Sequence, residues 1–115
     1  MGDIEIKRGE VWIADLSPAR GREQQGTRPV LVISDDGLNN SGGEISVVLP
    51  ITSRNRKFPL HVNLLPPEGG VKIESMILCN MIRSISHERF IEKLGAISSK
   101  TLMKVEETVR LILSI

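Results

Sequence analysis

The sequence predicts a mainly β fold with one α-helix, a small twisted antiparallel sheet or partly open barrel followed by a closing helix. Three observations predict it. Short runs of β-branched and other apolar residues recur along the chain. Clusters of Gly, Pro, Asn and Asp separate these runs. Only the final segment repeats its apolar residues at helical spacing. With 115 residues, 40% of them hydrophobic and 25% charged, the chain is expected to form one domain over residues 1–115.

The elements follow in order. Glu10–Leu16 mixes apolar and polar positions as a first strand does, and Ser17-Pro18 ends it. A polar loop from Arg20 to Thr27 carries Gly21 and Gly26. Pro29–Ser34 is continuously apolar up to its last residue, the pattern of a strand covered on both faces. Asp35–Gly43 is rich in turn formers, and Ile45–Ile51 is a second buried run. Thr52–Phe58 reads as a short basic loop. Leu60–Leu65 alternates, and Pro66-Pro67 and Gly69-Gly70 then break the chain. Met76–Asn80 and Met81–Ile85 read as further strand, either separate or as one bent strand. Ser86 caps a helical turn at His87–Phe90, and Leu94–Ile97 is a last strand. Ser98 or Ser99 then caps a helix of about four turns. Leu102, Val105, Val109 and Ile112 form its apolar face, with Lys104, Glu106, Glu107 and Arg110 left for water.

Composition narrows the function. The formal net charge is +1, so attraction to nucleic acid requires a local basic patch. One Trp, two Phe and no Tyr argue against a surface of aromatic base-stacking platforms. One cysteine, Cys79, excludes an internal disulfide, and its apolar surroundings point to a buried thiol. With His61 and His87 as the only histidines, no tetrahedral metal cluster is legible, and no cofactor is expected. The N-terminus lacks a signal-peptide pattern and no apolar run is long enough to span a bilayer, so the cytoplasm is the expected compartment.

The stretch from Glu23 to Ile33 carries the chemistry. A polar, glycine-containing loop runs into an apolar strand, with Arg28 at the junction. Pro29 lacks an N–H and disfavours helical geometry at the preceding residue, so Arg28 enters the strand extended. A guanidinium fixed at the mouth of a loop matches two phosphate oxygens at once. Pairing with Glu23 or Asp15 on a solvated rim is the structural alternative. Gly21 and Gly26 do not make a nucleotide-binding P-loop, because no Gly-Lys-Ser/Thr follows and no helix opens there.

Together with Lys7-Arg8-Gly9-Glu10 and the strand closing in Asp15-Leu16-Ser17-Pro18, the element Glu23-Gln24-x-Gly26-x-Arg28-Pro29 resembles the MazF/PemK (Kid) family of toxin endoribonucleases. The resemblance continues through Pro50-Ile51-Thr52-Ser53, Pro59-Leu60-His61-Val62 and Ile82-Arg83-Ser84-Ile85 to the closing helix, covering nearly the whole chain. It implies an SH3-like barrel with a C-terminal helix, the fold shared with CcdB-like toxins. It also implies sequence-specific, metal-independent cleavage of single-stranded RNA, above all messenger RNA. Arg28 and the threonine matching Thr52 take catalytic roles by the same resemblance.

Beside them, Glu23 is the candidate proton acceptor or the group that orients Arg28, with a solvated loop carboxylate as its alternative. Gln24 can donate to phosphate or to a base edge. Arg20, Arg22, Ser53, Arg54, Arg56 and Lys57 fall on the two loops flanking Arg28 and Thr52, where the basic groups would track an RNA backbone. Arg83 contacts RNA or braces the site. Asn80-Met81 departs from the family, where many members have an acidic residue followed by Gln, so target specificity is not transferable. The resemblance further implies a homodimer and a MazE-like antitoxin with an acidic disordered tail. The competing reading is a gyrase-binding, CcdB-like toxin without catalysis. Those toxins end in Trp-Gly-Ile, whereas this chain ends in Leu113-Ser114-Ile115 and has its only Trp at position 12.

Overall fold

The computed structural model describes residues 4–53 and 60–115. Within them, seven strands form one antiparallel sheet: β1 (Glu10–Asp15), β2 (Thr27–Val32), β3 (Ile45–Thr52), β4 (His61–Leu64), β5 (Ser75–Leu78), β6 (Arg83–Ser86) and β7 (Phe90–Ala96). The strand path runs β4-β5-β3-β2-β1-β7, with β6 added to β3. It ends at β4 and β7 and does not close on itself, as a partly open barrel requires. Among the described residues, two α-helices complete the fold, α1 (Asp36–Asn39) and α2 (Ser99–Leu113). Among the described residues, no helix is long and apolar enough to cross a membrane.

The continuous apolar runs are buried on both faces, because strand alternation sends successive side chains to opposite sides of the sheet. Leu31 and Leu49 join Val11, Ile51, Ile77 and Val105 in one cluster. Val30, Val32 and Val48 join Trp12, Leu16 and Phe90 in the other. The first cluster is roofed by α2, where Val105 is buried and Val109 and Ile112 pack alongside. Ser98, not Ser99, is the cap: its Oγ accepts from the Thr101 N–H at 3.2 Å, satisfying one of the unpaired amides of the first turn.

Two segments, β7 and Asp35–Gly43, differ from the sequence reading, and a third, read as either separate strands or one bent strand, is separate. β5 and β6 are two strands that take successive stretches of the same edge of β3, separated by a 3₁₀ turn at Cys79–Met81. β7 starts at Phe90, earlier than its apolar residues suggested, because it is an edge strand whose Glu92 and Lys93 face water. The Asp35–Gly43 segment holds the short helix α1, capped by the Asp35 carboxylate accepting from the Gly37 N–H at 2.7 Å. Ser86 does cap a helical turn, at His87–Arg89.

Candidate functional site

The β1–β2 loop is tied down at both ends. The Leu16 N–H donates to the Gly26 carbonyl at 2.9 Å, and the Gly26 N–H donates to Ser17 Oγ at 2.8 Å. From the far side, Arg89 donates to the Asp15 carbonyl at 3.0 Å and also reaches the Ser17 carbonyl. Arg83 donates to the Leu16 carbonyl at 3.3 Å. Inside the loop, the Glu23 carboxylate accepts from the Arg20 backbone N–H. These bonds convert a polar, exposed segment into a fixed wall.

Arg28 stands where that wall meets the sheet, extended in β2 as Pro29 dictates. Its Nε–H donates to the Gln25 carbonyl at 2.7 Å, which aims the guanidinium along the loop. No ion pair to Glu23 or Asp15 occurs among the described residues. The registers of β2 and β3 then place the second predicted residue. Val30 pairs with Pro50, so continuing by one pleat sets Arg28 and Thr52 on the same face at the same end of the sheet. Thr52 is buried, 2% exposed, whereas its neighbour Ser53 is open to solvent.

A cleft lies on each side of this edge. The first, of about 360 Å³, is walled by Arg22, Glu23 and Gln24 from the loop and by Asn80, Met81 and Arg83 across from them, over Pro50. It exists because the Cys79–Met81 turn leaves a gap between β5 and β6 beside β3. The second, of about 410 Å³, brings Arg28 and Ser53 together with Lys72 over an apolar floor that includes Ile13, Pro29 and Ile51. The structure therefore divides the predicted set. Glu23, Gln24, Arg22 and Arg83 share one cleft, Arg28 and Ser53 share the other, and Arg20 sits exposed at the loop's outer turn. Arg54, Arg56 and Lys57 lie outside the described residues.

Gln24 differs from the rest of the loop. It is 4% exposed amid exposed neighbours, and its Oε1 is buried without a hydrogen-bond partner. An orphaned amide oxygen of this kind costs about 1–3 kcal/mol. Lys72 is an addition that no local pattern marked, and Asn80, singled out in the sequence only as a departure from the family, lines the first cleft. Lys72 simply follows the Gly69-Gly70 break, and only the fold brings it beside Arg28. Cys79 is buried, and burial pushes its thiol up to about 11, which leaves it inert as a nucleophile. His87 is buried within hydrogen-bond distance of Ser46 Oγ, 2.9 Å from its Nε2, in a network with Asn39. That is a structural role.

An open antiparallel sheet under one C-terminal helix is the architecture this chain shares with MazF toxins of known structure. MazF from Deinococcus radiodurans superposes with a TM-score of 0.86 at 27% identity, over 98% of this chain and 100% of that one. A MazE–MazF complex from the same organism matches with a TM-score of 0.80 at 28% identity, over 98% and 99% of the two chains. In sequence, endoribonuclease EndoA of Bacillus subtilis is 37% identical over 112 residues, 96% of each protein. The pattern of the PemK-like, MazF-like toxin of type II toxin–antitoxin systems matches residues 7–113. The chain belongs to that family.

Proposed function

We propose that this toxin acts as a metal-independent endoribonuclease on single-stranded RNA, messenger RNA above all, and so halts translation and growth. The observation that carries the site assignment is Arg28, held by the Gln25 carbonyl at the loop end of β2, in the cleft it shares with Ser53 and Lys72. In the reaction, the ribose 2′-OH attacks the adjacent phosphorus, the P–O5′ bond breaks, and the products end in a 2′,3′-cyclic phosphate (or the 3′-phosphate after its hydrolysis) and a 5′-OH. The nucleophile belongs to the substrate, so the protein needs only to align it, move two protons and neutralise the added charge. Arg28 binds the non-bridging oxygens; as a permanent cation it stabilises charge and is a poor proton acceptor. Thr52 is the second catalytic group, with Ser53 beside it. Glu23 takes the 2′-OH proton or orients the phosphate-binding groups. Arg20, Arg22, Arg54, Arg56, Lys57 and Arg83 hold the flanking backbone, and Gln24 a base.

The partner of this reading is an antitoxin of the MazE kind, whose acidic disordered tail lays carboxylates where RNA phosphates bind. Support comes from the relative solved as a MazE–MazF assembly. A homodimer is favoured by Leu111, Leu113 and Ile115, which leave the end of α2 apolar and exposed. The cytoplasm, where messenger RNA is found, is the site of action. Trp12 offers no gyrase contact, since it is buried edge-on against Phe90 with its indole N–H donating to Glu10 at 3.0 Å.

The test is incubation with long single-stranded RNA in excess EDTA, followed by mapping of fragment ends. Wild type is expected to cut at a recurring short motif, and Arg28→Ala to lose at least about a hundredfold in kcat/KM while keeping its fold. Cleavage retained by Arg28→Ala would remove the central assignment.

A further inference from the structure

We infer that Ser17 is a positioning residue for RNA cleavage: its hydroxyl, anchored by Arg89, fixes the peptide plane that aims Arg28. The inference rests on the endoribonuclease reading and adds to it a residue that need not touch RNA. The Gln25 carbonyl, which accepts from Arg28 Nε at 2.7 Å, belongs to the same peptide as the Gly26 N–H, which donates to Ser17 Oγ at 2.8 Å. A peptide is a rigid plane, so whatever holds its N–H also sets the direction of its carbonyl. Ser17 and Arg28 therefore grip two ends of a single unit.

Gly26 makes that grip matter. Its φ is +82°, and a Cβ built there would meet nothing within 4 Å. Glycine crosses between backbone conformations at low cost, so the peptide before it is free to turn unless a hydrogen bond stops it. The Leu16 N–H holds the Gly26 carbonyl, which belongs to the next peptide. Ser17 in turn is held at both of its own backbone groups. Its N–H donates to Asp15 Oδ1 at 3.0 Å, and its carbonyl accepts from Arg89, which also donates to the Asp15 carbonyl at 3.0 Å. A side chain from the turn before β7 thus reaches Arg28 through Ser17 and one peptide. Ser17 is exposed, so water can replace its hydroxyl as acceptor. Water satisfies the amide without fixing its direction, and the loss falls on alignment of the guanidinium with phosphate.

The experiment compares Ser17→Ala with Ser17→Thr on single-stranded RNA, and repeats Ser17→Ala in an Arg28→Ala background. Ser17→Ala is expected to lower kcat about tenfold, with KM for RNA and the urea midpoint little changed. Ser17→Thr keeps the hydroxyl and should restore the rate. In the Arg28→Ala background Ser17→Ala should cost nothing further, because no guanidinium remains to be aimed. A direct reading comes from NMR with isotope-labelled arginine. The Arg28 Nε–H should exchange with solvent about tenfold faster in Ser17→Ala than in wild type or Ser17→Thr. Unchanged exchange in Ser17→Ala would overturn the inference. So would a full loss added on top of Arg28→Ala, or a defect that threonine does not repair. Failure of wild type to cut any RNA would overturn the endoribonuclease reading instead, and the exchange measurement would still decide whether Ser17 aims Arg28.

Discussion

Glu10 shows how a single buried charge is kept ionised in this fold. It is 6% exposed, and burial alone would raise its pKa. Against that, Lys93 pairs with it at 2.7 Å, Trp12 donates at 3.0 Å, and the Lys7 backbone N–H donates at 2.8 Å. The hydrogen bonds win, and the carboxyl sits below its ordinary value of 4.5. A lowered folded-state pKa adds stability that is complete above the unfolded value and fades as pH falls through the folded one. Glu10→Gln keeps an acceptor for Trp12 and loses the ion pair. It is expected to destabilise the protein by about 1–2 kcal/mol at pH 7 and by progressively less in acid, as measured by urea unfolding at a series of pH values. An unchanging difference down to pH 3 would show that the charge is not what Glu10 contributes.

Among the elements, the Gly69-Gly70 turn illustrates packing that strand and turn signals do not reveal. Gly70 has φ +77°, and a Cβ built there would lie 2.2 Å from the Leu94 carbonyl oxygen on β7. Gly21, in the β1–β2 loop, has φ +58° with nothing within 4 Å of such a Cβ. Both positions carry the left-handed backbone penalty, about 1–2 kcal/mol for a residue with a Cβ, and only Gly70 adds a clash. Gly70→Ala should therefore lower stability by about 2 kcal/mol more than Gly21→Ala, read as the difference between their thermal or urea transitions. Equal losses would mean that β7 yields without penalty. The helix is the opposite case. Its serine cap, to within one residue, and its core-facing stripe of Val105, Val109 and Ile112 were both legible, because caps and helical periodicity are local properties. The choice between two separate strands and one bent strand at β5 and β6 was not. No Gly or Pro marks Cys79–Met81, and the break is imposed by β3, which pairs with β6 over Ile45–Val48 and with β5 at Ile51 and Thr52.

For the whole molecule, a net charge of +1 is too small to draw RNA from a distance, so the attraction must come from one side of the protein. Arg20, Arg22, Arg28, Lys72 and Arg83 all stand around the loop and its two clefts. RNA affinity should then fall with salt as a power law. Arg22→Ala should weaken binding to all sequences alike and flatten the log–log slope by about one unit, measured by fluorescence anisotropy. An unchanged slope would take Arg22 out of the backbone track. The second prediction at this scale concerns assembly. Leu111 is 70% exposed at the end of α2, and Leu111→Asp should turn a dimer into a folded monomer in sedimentation analysis. A wild-type monomer, or a variant that still dimerises, would move the self-association surface elsewhere.

The family, the open sheet under a capped helix, and the placement of Arg28 at the entrance to a strand were all legible in the chain's local patterns. Each of these depends on residues close together in the chain: a motif, an alternation, a cap, a proline after an arginine. Which loop residues share a cleft, the burial of Gln24 with an orphaned oxygen beside an exposed Glu23, and the approach of Lys72 to Arg28 emerged with the folded arrangement. Those outcomes depend on strand register and on where β3 changes partners. No local pattern encodes them, because the cost of an unpaired acceptor or the reach of a lysine is set by what lies across the sheet.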